Sequence, residues 1–373
     1  MSQQDPTASG PAHVKRPSRL PFILTIIICC MAATSVYLWG RGSNAADRPV
    51  KVAVVTWNND AFWDPVIRGA EDAAQEWNVG LTTVRSTPEM ETQSKHVRDL
   101  LGKGVDGIAI SPNNPAAQAS LLNEAADKAV LVTFDSDAPE SRRRVFIGTD
   151  DYSAGGWAAD EVRDVLPDGG AVIISVGSLE TANGRARRQG LIDTLLDRPF
   201  DRARPADSVD AQLKGGKYSI AATVLDGADV AKGKTLISDA IKAHPETKCI
   251  VALWSYSAGV ALGGIEQAGK SGQIKVIAFD ESPETQAGIE AGTVQASILQ
   301  DQYRIGYESV RVLAATVRGL EQRGPTGPRL IYMPVNILRQ DNIQDLRAQN
   351  RIRVPDGKSP STQPAAKTPA AGS

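Results

Sequence analysis

From Val50 onward, short apolar runs bounded by turn residues alternate with amphipathic stretches, and this alternation most constrains the fold. A run such as Val52-Ala53-Val54-Val55 has no polar face, which suits a parallel strand covered by helices on both sides. Strands are predicted at Val50–Thr56, Leu81–Val84, Gly107–Ile110, Val130–Phe134, Val145–Ile147, Ala171–Val176, Ala221–Leu225, Cys249–Leu253, Lys275–Phe279 and Val294–Leu299. Helices are predicted at Pro65–Trp77, Glu91–Leu101, Pro115–Lys128, Ser153–Val165, Gly184–Leu196, Ala231–Ala243 and Ser257–Ala268. Repeated βα units of this kind make an α/β fold with parallel sheets. The strand count and the 373 residues suggest two sheets, since one domain commonly takes ~100–200 residues.

The ends of the chain obey other rules. Residues 1–19 form a basic N-terminal region with Lys15, Arg16 and Arg19, and Leu20–Trp39 is a 20-residue run without charge. A basic segment followed by an apolar one is the layout of an export signal or a signal anchor. The run is longer than the ~7–15-residue core of a signal peptide and long enough to span a membrane as a helix. Ser43-Asn44-Ala45 offers a small-residue cleavage site, with Arg41 just before it. A cleaved signal peptide and a retained transmembrane anchor both stay open, and membrane contact through residues 20–39 depends on the second. Either one places the rest of the chain in the periplasm or another extracytoplasmic space. Cys29 follows Ile28, so the small residue that a lipoprotein signal needs there is missing. Residues 40–49 read as a linker, and 350–373 as a disordered Pro/Ala-rich tail.

The net charge is −2 with both signs interspersed, which excludes the electrostatic footprint of a nucleic-acid binder. Of three cysteines, Cys29 and Cys30 lie in the N-terminal apolar run, leaving Cys249 as a small buried hydrophobe in a strand. No intradomain disulfide is available, so the core alone must hold the fold.

In open α/β sheets ligands bind beyond the carboxyl ends of the strands. The first strand delivers Asn58, Asn59, Asp60, Phe62 and Trp63 to that edge, and the fourth delivers Asp135-Ser136-Asp137. Later strands deliver Trp254-Ser255-Tyr256-Ser257, Asp280-Glu281 and Gln300-Asp301. Carboxylates and amides bond neighbouring hydroxyls, and aromatic faces cover the C–H side of a sugar ring. Each residue also has a plainer reading. Asp280 could cap the next helix, Phe62 and Trp63 could be core, and Arg185, Arg187 and Arg188 could form a solvated face. Their recurrence at one edge favours a carbohydrate site.

On Asn59-Asp60-Ala61-Phe62-Trp63, Val105–Pro112, Val132-Thr133-Phe134-Asp135, Ile147–Asp150, Gly184–Gly190, Val276–Asp280 and Ile298-Leu299-Gln300, the chain resembles the periplasmic sugar-binding proteins of the ribose, galactose and LacI-core type. The order and spacing of these segments are specific, and they cover roughly residues 50–339. The resemblance implies two Rossmann-like lobes joined by a three-crossing hinge, as in type I periplasmic binding proteins. The N-terminal lobe would take 50–149 plus 301–325, and the C-terminal lobe 150–300 plus 326–343. Hinge closure would enclose a monosaccharide or polyol for delivery to an ABC permease. Asn59 or Asp60, with Phe62 and Trp63, would line the first lobe; Asp135 would bind hydroxyls; Arg187 would donate in bidentate fashion. Asp280 would accept, Gln300 would reach in from the hinge, and Trp254 and Tyr256 would lie close by. No catalytic residue, cofactor or metal is implied, and a monomer is expected. The alternative is a membrane-tethered sugar-sensing ectodomain that signals to a membrane partner. Two departures concern the ligand: Ser136 stands where ribose-type relatives carry Arg, and Trp254 where many carry Asn. The calcium loop of the galactose type has no counterpart, and a membrane-type segment, not a helix-turn-helix, precedes Val50.

Three further motifs point elsewhere. Gly264-Ile265-Glu266-Gln267-Ala268-Gly269-Lys270-Ser271 fits the phosphate-loop pattern, but a helix is predicted before it and a strand after it, the reverse of what phosphate binding needs. Ser255-Tyr256-Ser257-Ala258-Gly259 lacks the first glycine of a nucleophile elbow, and His13, His96 and His244 all fall at predicted surface positions. Asp135 and Asp137 could serve as glycosidase carboxylates only if the chain stayed extended through Ser136, where a turn is expected.

Overall fold

The computed structural model describes residues 49–320, 329–349 and 352. The expectations for the basic region, the apolar run, the linker up to residue 48 and the tail beyond residue 352 lie outside the described residues. Among those described, no helix is long and apolar enough to cross a membrane.

The first lobe runs β1 (Val50–Val55), α1 (Trp63–Glu76), β2 (Val79–Val84), α2 (Met90–Gly102), β3 (Gly107–Ile110), α3 (Pro115–Lys128), β4 (Val130–Phe134) and β5 (Val145–Gly148). Along β1 the alternation of the pleat divides one apolar run between two cores. Val52 and Val54 join the cluster around Trp63 and Ile67, whereas Ala53 and Val55 join the one around Val97 and Leu122. The chain then enters the second lobe through α4 (Asp151–Val165), β6 (Gly170–Val176), α5 (Ala182–Leu195), β7 (Leu213–Gly215) and β8 (Tyr218–Leu225). It continues through α6 (Val230–Ala243), β9 (Thr247–Ala252), α7 (Ser257–Gln267), β10 (Lys275–Phe279), α8 (Pro283–Glu290) and β11 (Ala296–Leu299). Helix α9 (Gln302–Val317) returns to pack on α1, and β12 (Arg329–Tyr332), β13 (Asn336–Leu338) and α10 (Ile343–Ala348) follow.

Strand order is β2-β1-β3-β4-β5-β12 in the first sheet and β7-β8-β6-β9-β10-β11-β13 in the second. The two follow one plan, with only β7 and β13 running antiparallel. The α/β class, the two lobes and the three crossings thus stand as expected. The last boundary differs: residues 326–343 are expected in the second lobe, yet β12 pairs in parallel register with Val145–Gly148 of β5. This covers the free edge of the first sheet, and the third crossing falls between Tyr332 and Asn336.

Each lobe is tightened by a helix pair whose backbones touch. A methyl group on Gly306 of α9 would stand 1.8 Å from the Val66 carbonyl oxygen of α1, and one on Gly69 would stand 2.0 Å from that of Tyr303. In the second lobe Gly190 of α5 meets the Tyr152 carbonyl at 1.9 Å on the same measure, and Gly155 of α4 meets that of Arg187 at 2.1 Å. Cys249 is buried in β9, and burial pushes its thiol up to about 12. The phosphate-loop look-alike is a helix exit. Helix α7 ends at Gln267, Gly269 takes φ +66°, and β10 follows.

Candidate functional site

Helix caps and strand ends together bring polar groups to the edge between the lobes. Asn114, Thr181, Ser282 and Asp301 each accept a backbone N–H at the first turn of α3, α5, α8 and α9. Because Ser282 caps α8, Asp280 is left for another purpose. Asp280 at φ +61° and Asp135 at φ +58° occupy equivalent places after β10 and β4, in the left-handed conformation that Asp tolerates better than most residues. Their N–H groups still continue the sheets, reaching the carbonyls of Ile298 at 2.9 Å and Ile147 at 3.0 Å. Their carboxylates line one cleft between the lobes.

That cleft holds about 420 Å³ of empty space, open solvent included. Nine of the ten residues singled out from the sequence line it, namely Asp60, Phe62, Trp63, Asp135, Arg187, Trp254, Tyr256, Asp280 and Gln300. Asn59 does not: its side chain is exposed, and the adjacent Asn58 lines the cleft instead. Asn58 accepts from the Trp63 indole at 2.5 Å and donates to Asp60 at 2.8 Å, so it sets both neighbours. Trp57, Thr181, Asn183 and Ser255 complete the lining. Asn183 lies four residues before Arg187 on α5, a spacing that puts both on one helix face and was readable from the sequence.

Asp135 is 6% exposed, and its Oδ2 accepts from Ser111 Oγ at 3.0 Å and from Asn183 Nδ2 at 3.1 Å. The second of these bonds joins the lobes. Asp280 accepts from the Gln300 amide nitrogen at 3.2 Å, and Ser297 Oγ donates to its backbone carbonyl at 2.6 Å. Arg187 is 1% exposed, so the solvated-face reading does not hold for it; Arg185 alone of the three arginines is exposed. Three of its five N–H bonds go to protein: Nε to Asp151 at 2.8 Å, Nη1 to the Leu253 carbonyl at 2.9 Å and Nη2 to Gln300 at 2.7 Å. Its face stacks 4.7 Å over the Phe279 ring. Gln300 also accepts from Thr149 Oγ1 at 3.0 Å, tying the first crossing to the second.

The aromatic lining is angular. Phe62 and Trp63 meet edge to face with an interplanar angle of 88°, so they form a corner instead of a flat platform. Trp57 of the first lobe meets Trp254 of the second at 5.3 Å between ring centroids, also edge to face. Both of their indole nitrogens are buried and have no hydrogen-bond partner among the described residues. Trp254 can lie there because Gly177 has no side chain: a methyl group would sit 2.1 Å from its Cζ3. Tyr256 donates to Asp226 at 2.6 Å.

Burial raises the Asp135 carboxyl to about 6 and the Asp280 carboxyl to about 7, against the pull of Arg187. Asp151 rises to about 7 for the same reason. Burial alone would lower Arg187, but Asp151, Asp280 and Asp135 more than offset it. Ser136, the first of the two departures, does not line the cleft. It accepts from the Ala182 N–H at 3.2 Å and so binds the lobes to each other. Asp137 is held by Thr133 at 2.7 Å and by Arg143 through two bonds, which separates it from Asp135.

Against known proteins, a model described as the periplasmic binding protein domain matches residues 50–321. The ribose import binding protein of Bacillus subtilis is 25% identical over 291 residues, 76% of this chain and 88% of its own. The D-allose-binding periplasmic protein of Escherichia coli is 24% identical over 266 residues, covering 68% of this chain and 80% of that protein. A solute-binding protein from Burkholderia graminis, solved in complex with D-arabinose, superposes with a TM-score of 0.71 at 27% identity over 81% of this chain and 98% of its own.

Proposed function

Since this chain belongs to the periplasmic binding protein family, a family of binding proteins and not enzymes, we propose that it captures a monosaccharide or similar polyol between its lobes outside the cytoplasm and delivers it to an ABC importer. One observation carries the reading. Two aspartates at equivalent strand ends, both in the left-handed conformation, present carboxylates from opposite lobes to one aromatic-lined cleft. Carboxylates accept from vicinal hydroxyls, amides donate and accept, and ring faces cover apolar C–H surface. Asp135, Asp280, Arg187, Gln300 and Asn183 would make the polar contacts; Phe62, Trp254 and Tyr256 would supply the walls. The ribose, allose and arabinose named for the similar proteins indicate where to begin.

The test is a thermal-shift and calorimetric panel of pentoses, hexoses, inositols and nucleosides on the full chain. A ligand present at ~100 times its Kd should stabilise the fold by ~2.7 kcal/mol through mass action. Asp135→Ala and Asp280→Ala should each abolish that shift while leaving a cooperative melt. No response to any saccharide or polyol at millimolar concentration would overturn the reading.

A further inference from the structure

The charges lining the cleft do not balance. Three of the lining residues are acidic, Asp60, Asp135 and Asp280, and one is a cation, Arg187, which is itself paired with Asp151. Half-buried Glu281, next in sequence to Asp280, adds another carboxylate, with Arg68 as the cation acting on it. Arg85, the cation nearest Asp60, bonds the Asp60 backbone carbonyl and pairs with Asp64. A neutral sugar would leave this excess uncompensated in a site shielded from water, and an anionic one would add to it.

The remaining chemistry points the same way. Oδ2 of Asp135 takes both protein hydrogen bonds, so Oδ1 accepts none among the described residues. Five aromatic side chains line the cleft: Trp57, Phe62, Trp63, Trp254 and Tyr256. Aromatic faces beside carboxylates attract an ammonium group through the ring quadrupole and through direct charge. The buried, unpartnered indole N–H groups of Trp57 and Trp254 need the opposite, oxygen acceptors such as hydroxyls.

We propose that the cleft selects an amine-bearing polyol, an amino sugar or aminocyclitol, whose ammonium group pairs with Asp135 and whose hydroxyls accept from the Trp57 and Trp254 indoles. This rests on the saccharide-binding reading and narrows it. Glucosamine against glucose and galactosamine against galactose, titrated calorimetrically into the full chain, form the matched probes, and N-acetylglucosamine is the neutral control of similar bulk. At least one amine should bind ~10-fold or more tightly than its parent, a difference worth ~1.4 kcal/mol, and acetylation should remove the gain. Asp135→Asn should collapse the ratio of amine to parent, and Asp280→Asn serves as the second variant should the first fail to fold. If the neutral parents bind as tightly as the amines, the inference is overturned and the saccharide reading stands. If no saccharide binds at all, both fall.

Discussion

Burial lets Asp135 and Asp280 hold their protons to a higher pH than free aspartates do. Their carboxyls sit at about 6 and about 7, with Asp151 also at about 7, whereas an unfolded chain releases these protons near ~3.9. Between those limits the folded protein binds more protons than the unfolded one, so unfolding releases protons and stability falls as pH rises. The ligand-free protein should therefore melt at a higher temperature near pH 5 than near pH 7.5. Asp135→Asn and Asp280→Asn should flatten that slope in a differential scanning series, and an unchanged slope would show that these carboxyls do not set it. Much of the site was legible at this scale because a fully apolar run fixes where its strand ends, and the next polar residue must lie at the edge. What was not legible was which of two neighbours turns inward. Asn58 and Asn59 cannot be told apart from the sequence because the turn after β1 breaks the alternation that would assign the faces. Trp57 depends on its partner Trp254 in the other lobe.

At the scale of elements, the glycine contacts decide how closely α1 approaches α9 and α4 approaches α5. In each pair the atom in the way is a backbone carbonyl, which cannot swing aside as a side chain can. Gly306→Ala and Gly190→Ala should each destabilise by about 1–3 kcal/mol or more, read as a lower urea midpoint with the slope unchanged. A shift within error would mean that the helices separate freely. The ten strands and seven helices read from the sequence all form, whereas β7, β12 and β13 are sheet-edge strands with at most one buried residue each, so no buried apolar run marks them. Helix α9 carries an apolar face but holds Gly306 and β-branched Val310 and Val312 in its interior, residues of weak helix propensity, and only its packing on α1 makes the assignment plain.

For the whole molecule, the two lobes are held together by a few specific contacts across the cleft. Trp57 meets Trp254, Asn183 meets Asp135, the Ala182 N–H meets Ser136, and Asn114 meets Glu180 at 3.3 Å. An aromatic pair of this geometry contributes ~0.5–1.5 kcal/mol beyond its buried area. Trp254→Ala should shift the ligand-free population toward open forms, seen as a larger radius of gyration in small-angle X-ray scattering; an unchanged radius would remove the pair from the closing contacts. The threading of the chain has one more effect. The first lobe is begun at β1 but lacks α9 and β12 until most of the second lobe has been made, so Ile305 and Leu313 reach its core late and β5 keeps an open edge until then. A chain still on the ribosome therefore cannot complete its first lobe early. The interleaved order of the lobes makes the segment from Gln302 onward the one that completes both of them.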